Sequence, residues 1–179
     1  MGFEVAQALH GDLDIFLVRK LGVPGHEELA MGAIASGCVR VLNYDLIQQL
    51  GIPPPVIERV TQSEKREIER REALYRDGRP PISPENRAVA VVDDGLATGA
   101  TMLAAVRALR SQKPRKVVVA VPVASNQACE QFREYVDEIV CAETPEPFIA
   151  VGAWYEDFTQ VTDDEVRELL ERGARTHVE

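Results

Sequence analysis

Between Val89 and Thr101 the chain reads VAVVDDGLATGAT, four apolar residues, then two adjacent carboxylates, then a turn of small residues that runs into a helix. A strand with no polar position has no obvious solvent face, so Ala88 to Val92 reads as one covered by helices. The pattern continues in the same sense. Met102, Val106 and Leu109 share a helical face, Lys116 to Val121 is a second apolar strand, a helix is expected around Asn126 to Tyr135, and Glu138 to Cys141 gives a third strand. Strands alternating with helices predict an α/β fold, a parallel sheet flanked by helices. In such a sheet ligands bind beyond the carboxyl ends of the strands, which is where Asp93 and Asp94 fall.

The turn itself suits a phosphate. Gly95 and Gly99 permit close backbone approach, the amides of Thr98 to Thr101 are expected to point outward at the helix start, and Thr98 and Thr101 add hydroxyl donors. Two carboxylates do not hold that same phosphate, so Asp93 and Asp94 fit hydroxyl groups or the shell of a Mg²⁺ ion. A Walker A loop is excluded, since no Gly-Lys-Ser/Thr ending is present, and GLATGATM does not match the GxGxxG dinucleotide pattern. The plainer alternative is a strand-to-helix turn capped by Asp94 or Thr98.

The 179 residues predict a single domain, 1–179, with one sizeable core. Phe3, Val5, Ala6 and Leu9 share a helical face that ends at Gly11, and DIFLV, Asp14 to Val18, reads as a buried strand. Arg19 to Gly32 is rich in glycine and proline and reads as a loop, whereas Ala33 to Leu42 suggests two short strands turning at Gly37. Asn43 is placed to cap a brief helix running to Leu50. Pro53 to Arg76 carries charges of both signs at helical spacing, the pattern of a solvated helix, and GRPPISP breaks it. A capped helix is expected from Thr162 to Gly173. With 20 Lys and Arg against 29 Asp and Glu, the net charge of -9 argues against nucleic acid as a partner. No secretory signal or membrane-spanning run is present, and Cys38, Cys129 and Cys141 lack ligand spacing. The expectation is a cytoplasmic protein, with no membrane partner and buried free thiols.

VAVVDDGLATGAT resembles the signature of the type I phosphoribosyltransferases, and the chain from Phe3 to about Val166 is similar to a bacterial group of predicted phosphoribosyltransferases. The resemblance implies a phosphoribosyltransferase-type sheet with a small hood, here at about residues 43–84. It also implies a substrate, phosphoribosyl pyrophosphate with Mg²⁺, whose phosphoribosyl group passes to a nitrogenous base or amine, and a possible homodimer. By that resemblance Asp93 and Asp94 bind the ribose hydroxyls, directly or with the metal through water, and Ala97, Thr98, Gly99, Ala100 and Thr101 cradle the 5-phosphate. VRKLGVPG, Val18 to Gly25, is similar to the loop entry of adenine phosphoribosyltransferases, which gives Arg19 and Lys20 to pyrophosphate. FIAVGAWY, Phe148 to Tyr155, is similar to the region that stacks an aromatic ring on the base, which makes Trp154 and Tyr155 candidates.

Two departures bear on catalysis. Family members begin with a strand and a PRGG-type pyrophosphate loop, whereas this sequence opens with what resembles the following helix, so an earlier natural start is expected. Ala97 stands where 6-oxopurine enzymes carry an aspartate, so a general base must come from elsewhere, and Glu27 and Glu28, beside His26, are the candidates. The alternative is a non-catalytic module that senses the same substrate.

Overall fold

The computed structural model describes residues 1–175. The elements are α1 (Gly2–Ala8), β1 (Val18–Val23), β2 (His26–Ala35), β3 (Val39–Leu42), α2 (Tyr44–Gln49) and α3 (Pro54–Arg76), followed by β4 (Ala88–Val92), α4 (Ala100–Ser111), β5 (Lys116–Val123), α5 (Asn126–Phe132), β6 (Glu138–Glu143) and α6 (Asp163–Arg175). The fold is mixed α/β, with β4, β5 and β6 forming a parallel sheet in that order. The pairing runs from Ala88 opposite Lys116 to Val92 opposite Ala120, and from Val118 opposite Glu138 to Val123 opposite Glu143. Along β5, Val117, Val119, Val121 and Val123 are buried in strict alternation, as a pleated central strand requires. The first three pack with Met102 and Val106 of α4 and with Ala128, Cys129 and Phe132 of α5. At the sheet edge, Ala88 and Ala90 of β4 are exposed, so this all-apolar strand is only partly covered.

The stretch before this sheet departs from expectation. DIFLV does not form a strand from Asp14; β1 begins at Val18, and Asp14 and Leu17 are engaged differently. Leu17 donates its amide to Ser36 Oγ at 2.9 Å and accepts from the Ser36 amide at 2.8 Å. Arg19 to Gly32, read as a loop, is instead most of an antiparallel hairpin, β1 on β2, which β3 extends to a three-stranded sheet. Pro24 and Gly25 make its turn, Gly25 at φ 82°, and a register shift at Gly22 lets the strands kink. The hairpin is held because Leu21, Met31 and Ile34 are buried against Ile57 and Ile68 of α3. Glycine and proline there shape a turn and a bulge, not a free loop.

Other elements form as expected. Asn43 Oδ1 accepts from the Leu46 amide at 3.2 Å and caps α2. Thr162 and Glu165 form a reciprocal capping box at the head of α6, Glu165 Oε2 accepting from the Thr162 amide at 2.8 Å and Thr162 Oγ1 from the Glu165 amide at 3.3 Å. The cysteines differ from expectation. Cys38 is exposed, and Cys129 on α5 is disulfide-bonded to Cys141 on β6, with Cα atoms 6.8 Å apart. Helix, turn and strand over a sequence separation of 12 bring this pair together, a juxtaposition that sequence spacing does not reveal. Among the described residues, no helix is long and apolar enough to cross a membrane.

One polar cluster ties the surface elements together. Arg76, at the end of α3, is buried, donating Nε to Asp14 Oδ1 at 2.8 Å and Nη2 to the Ile15 carbonyl at 3.0 Å. Asp14 Oδ2 also accepts from the Ile82 amide at 2.9 Å, so one carboxylate fixes both the segment before β1 and the connector before β4. Tyr75 donates to Asp163 at 2.6 Å, and Arg79 to the Leu170 carbonyl at 2.9 Å, which joins α6 to the same cluster. Asp14→Ala leaves Arg76 with one fewer counter-charge and the Ile15 and Ile82 amides without their acceptor, and is expected to lower stability by about 3 kcal/mol in urea unfolding.

Candidate functional site

The turn between β4 and α4 is built by its neighbours. After Val92 the chain turns back on β5. The Asp93 amide donates to the Ala120 carbonyl at 3.4 Å and the Leu96 amide to the Val123 carbonyl at 2.9 Å. Leu96 is buried as the anchor, and its carbonyl accepts from the Ser125 amide at 3.0 Å. Ser125 caps α5 through the Ala128 amide, 3.1 Å, and donates its hydroxyl to the Ala97 carbonyl at 3.2 Å. Gly99 is the N-cap of α4 at φ 71°, and a Cβ there would lie 2.4 Å from Phe132 Cε2. At Gly95 a Cβ would lie 2.6 Å from Val151 Cγ1. Both positions therefore need glycine.

The backbone amides of residues 97–102 find no acceptor among the described residues, as befits a helix start. Ala97, Thr98, Ala100 and Thr101 are exposed. A row of free amides with the positive end of α4 behind it has the electrostatics to attract an anion.

Asp93 and Asp94 stand directly before this turn. Asp93 is exposed and accepts from the Asp94 amide at 3.0 Å. Partial desolvation of its carboxylate raises its pKa above the ordinary aspartate value; the Asp94 amide opposes the rise and the Asp94 charge adds to it. Tyr155 donates its hydroxyl to the Asp94 carbonyl, and its ring packs on Phe158 at 5.2 Å between centroids. Burial, with the charges of Asp94 and Asp93, pushes the Tyr155 pKa up, so the phenol stays neutral and donating at physiological pH. Trp154, next to it on a short turn at Val151–Trp154, is about half exposed, 46%, and keeps its ring at the surface. The structure thus brings Tyr155 to the acid pair and leaves Trp154 outside that contact.

An open groove of about 750 Å³ reaches the turn at Thr101. Arg19 and Lys20 of β1 and Glu27 of β2 line it, as the sequence groups them, but so do Arg59, Ser63 and Glu64 of α3, whose charge pattern reads as a solvated face. Arg19 Nε pairs with Glu64 at 2.7 Å, and Lys20 Nζ lies 3.6 Å from the Glu28 carboxylate and donates to the Glu28 carbonyl at 3.5 Å. Hydrogen bonds from its own amide and from the Gly25 amide lower the Glu27 pKa, with His26 contributing. Such a carboxylate holds its charge firmly and is a weak base. Glu28 is fully exposed and is not part of the groove wall. Nothing local in the sequence singles out Arg59 and Ser63 from the other polar positions of α3; the hairpin folded against the helix does.

Gly99→Ala, which forces a Cβ into Phe132 at a left-handed φ, is expected to lower stability by about 2 kcal/mol. Far-UV circular dichroism melts check the loss, and a Phe132→Ala background is expected to reduce it.

The profile of the family described as "Phosphoribosyl transferase domain" matches residues 24–157. Two Mycobacterium tuberculosis proteins, from strains CDC 1551 and H37Rv, are each 43% identical to the chain over all 179 of its residues. Their names are "Putative phosphoribosyl transferase MT0597" and "Putative phosphoribosyl transferase Rv0571c". The chain spans 40% of the length of each. A solved structure, the crystal structure of TT1426 from Thermus thermophilus, superposes with a TM-score of 0.81 at 41% identity, covering 95% of this chain and 80% of that one. The chain belongs to the phosphoribosyl transferase domain family.

Proposed function

We propose that this chain binds 5-phosphoribosyl 1-pyrophosphate with Mg²⁺ and transfers the phosphoribosyl group to a nitrogenous acceptor, releasing pyrophosphate. The observation that carries this reading is the row of unpartnered amides at residues 97–102, set directly behind two carboxylates at the end of a parallel strand. The amides and the hydroxyls of Thr98 and Thr101 bind the 5-phosphate, while Asp93 and Asp94 accept hydrogen bonds from the ribose hydroxyls. Tyr155 holds the Asp94 backbone and so orients the pair. Lys20 and Arg19 face the diphosphate, whose charge grows as it leaves.

The acid pair also fits a hydrated Mg²⁺. Two adjacent carboxylates suit an ion that takes one or two carboxylates and draws its other ligands from water and phosphates. When bound, the ion neutralises the diphosphate leaving group. Ala97 offers no proton acceptor, and Glu27 is held ionised by amides, so the reading asks little base chemistry of the protein. Positioning and charge neutralisation carry the reaction.

A second reading, a module that binds the substrate without turning it over, is favoured by the Arg19–Glu64 pair, which occupies one of the two cations assigned to diphosphate. Pyrophosphate release with a panel of purines, pyrimidines and small amines separates the two.

Asp93→Asn and Asp94→Asn are each expected to weaken phosphoribosyl pyrophosphate binding about tenfold or more in calorimetry with Mg²⁺, with the fold retained. Unchanged affinity in both variants would defeat the assignment. The pH dependence has a definite sign. Because the folded-state pKa of Asp93 is raised, its protonated form favours folding, and that contribution, full below the ordinary aspartate pKa, is lost as pH rises through the raised value. Asp93→Asn is therefore expected to flatten this loss in the acid limb of a stability profile. Substrate affinity in the native protein is expected to fall on acidification through the same pKa.

A further inference from the structure

The face of α3 that walls the groove carries a cation with no partner. Arg59 lines the groove together with Ser63 and Glu64, and shares it with Arg19, Lys20 and Thr101. Other arginines of this helix are engaged. Arg66 donates to the Gln62 carbonyl at 3.2 Å, Arg70 and Arg71 pair with Glu67 at 2.8 and 2.7 Å, and Arg76 pairs with Asp14 at 2.8 Å. Among the described residues Arg59 makes no hydrogen bond or ion pair. The acids near it are already taken, Glu58 by Arg40 at 3.1 Å and by Gln62 at 2.7 Å, and Glu64 by Arg19 at 2.7 Å. Glu27, the other acid of the groove, accepts from the Gly25 amide at 3.1 Å.

In a chain of net charge -9, a guanidinium left unneutralised in a groove that reaches Thr101 at the amino end of α4 adds positive charge where the overall field is negative. Its planar fork of donors matches phosphate oxygens. A neutral or cationic ligand would have no use for it. Helix α3 is anchored beneath by Ile57 and Ile68 in the hairpin core, so the residue stands on a fixed support.

We propose that Arg59 is an anion-binding residue of this groove, gripping a phosphate or diphosphate group of the ligand, and that Glu64 opposes it by masking Arg19 from the same anion. Anion binding stands on the groove itself; only the identity of the ligand rests on the phosphoribosyl reading. Two phosphate groups are candidates, the diphosphate and the 5-phosphate, and the two variants carry opposite signs, which simple damage to the groove does not produce.

The test is titration calorimetry of the whole chain with Mg²⁺, using inorganic pyrophosphate, ribose 5-phosphate and phosphoribosyl pyrophosphate as separate probes. Arg59→Gln is expected to weaken binding of one of the first two probes about tenfold to a hundredfold, and that probe identifies the end of the substrate held. Arg59→Lys, which keeps the charge and loses the fork, is expected to fall between the two and guards against misfolding of the Gln variant. Glu64→Gln is expected to tighten pyrophosphate binding about threefold, and Arg66→Gln to change nothing.

If the native chain binds phosphoribosyl pyrophosphate while Arg59→Gln leaves both smaller probes unaffected, the proposal is overturned; it is equally overturned if the native chain binds neither of them. Unchanged or weaker pyrophosphate binding in Glu64→Gln removes the masking role. Arg59-dependent pyrophosphate binding, together with phosphoribosyl pyrophosphate binding that is indifferent to Asp93→Asn, would sustain this inference and sink the phosphoribosyl assignment of the acid pair.

Discussion

Helix α4 is the element on which both sheets converge. It packs on β5 and also on β1, β2 and β3, and its buried residues include three alanines, Ala104, Ala105 and Ala108. Small side chains let a helix lie close to two surfaces at once, and Ala108 is completely buried. The amino end of this helix is the turn at residues 95–99. The geometry of the candidate site is therefore set by core packing, through a helix that has little freedom to shift.

A second layer of constraint comes from α5. Phe132 fills the space where Gly99 lacks a side chain, and Ser125 both caps its own helix and holds the Ala97 carbonyl. The free amides of residues 97–102 are thus held open by packing behind them. A flexible loop would lose conformational entropy on gripping an anion, whereas this one has lost it on folding.

Much of this was legible in the sequence because the decisive signals are local. An apolar run, paired acids, glycines and a helical apolar stripe lie within one contiguous stretch, and β5 alternates with its helices in a regular order. The hairpin was not legible. Its glycines and Pro24 carry the composition of a loop, and what makes it a sheet is the burial of Leu21, Met31 and Ile34 beneath α3, a contact between segments distant in the chain. The role of α3 was hidden for the same reason. Its charges look like a solvated face until the hairpin folds against it and turns Arg59, Ser63 and Glu64 toward a groove. The Cys129–Cys141 pair likewise needs the helix and strand in place before the two sulfurs meet.

Among the described residues the two sheets share no strand; β1, β2 and β3 pair only among themselves, as do β4, β5 and β6. Hydrogen-bond register therefore does not propagate from one to the other. Substitutions, or even a changed turn length, in the hairpin can reshape the groove wall without disturbing the strand that presents Asp93 and Asp94. Such a division of labour lets the groove wall diversify during evolution while the strand that carries the acid pair stays fixed.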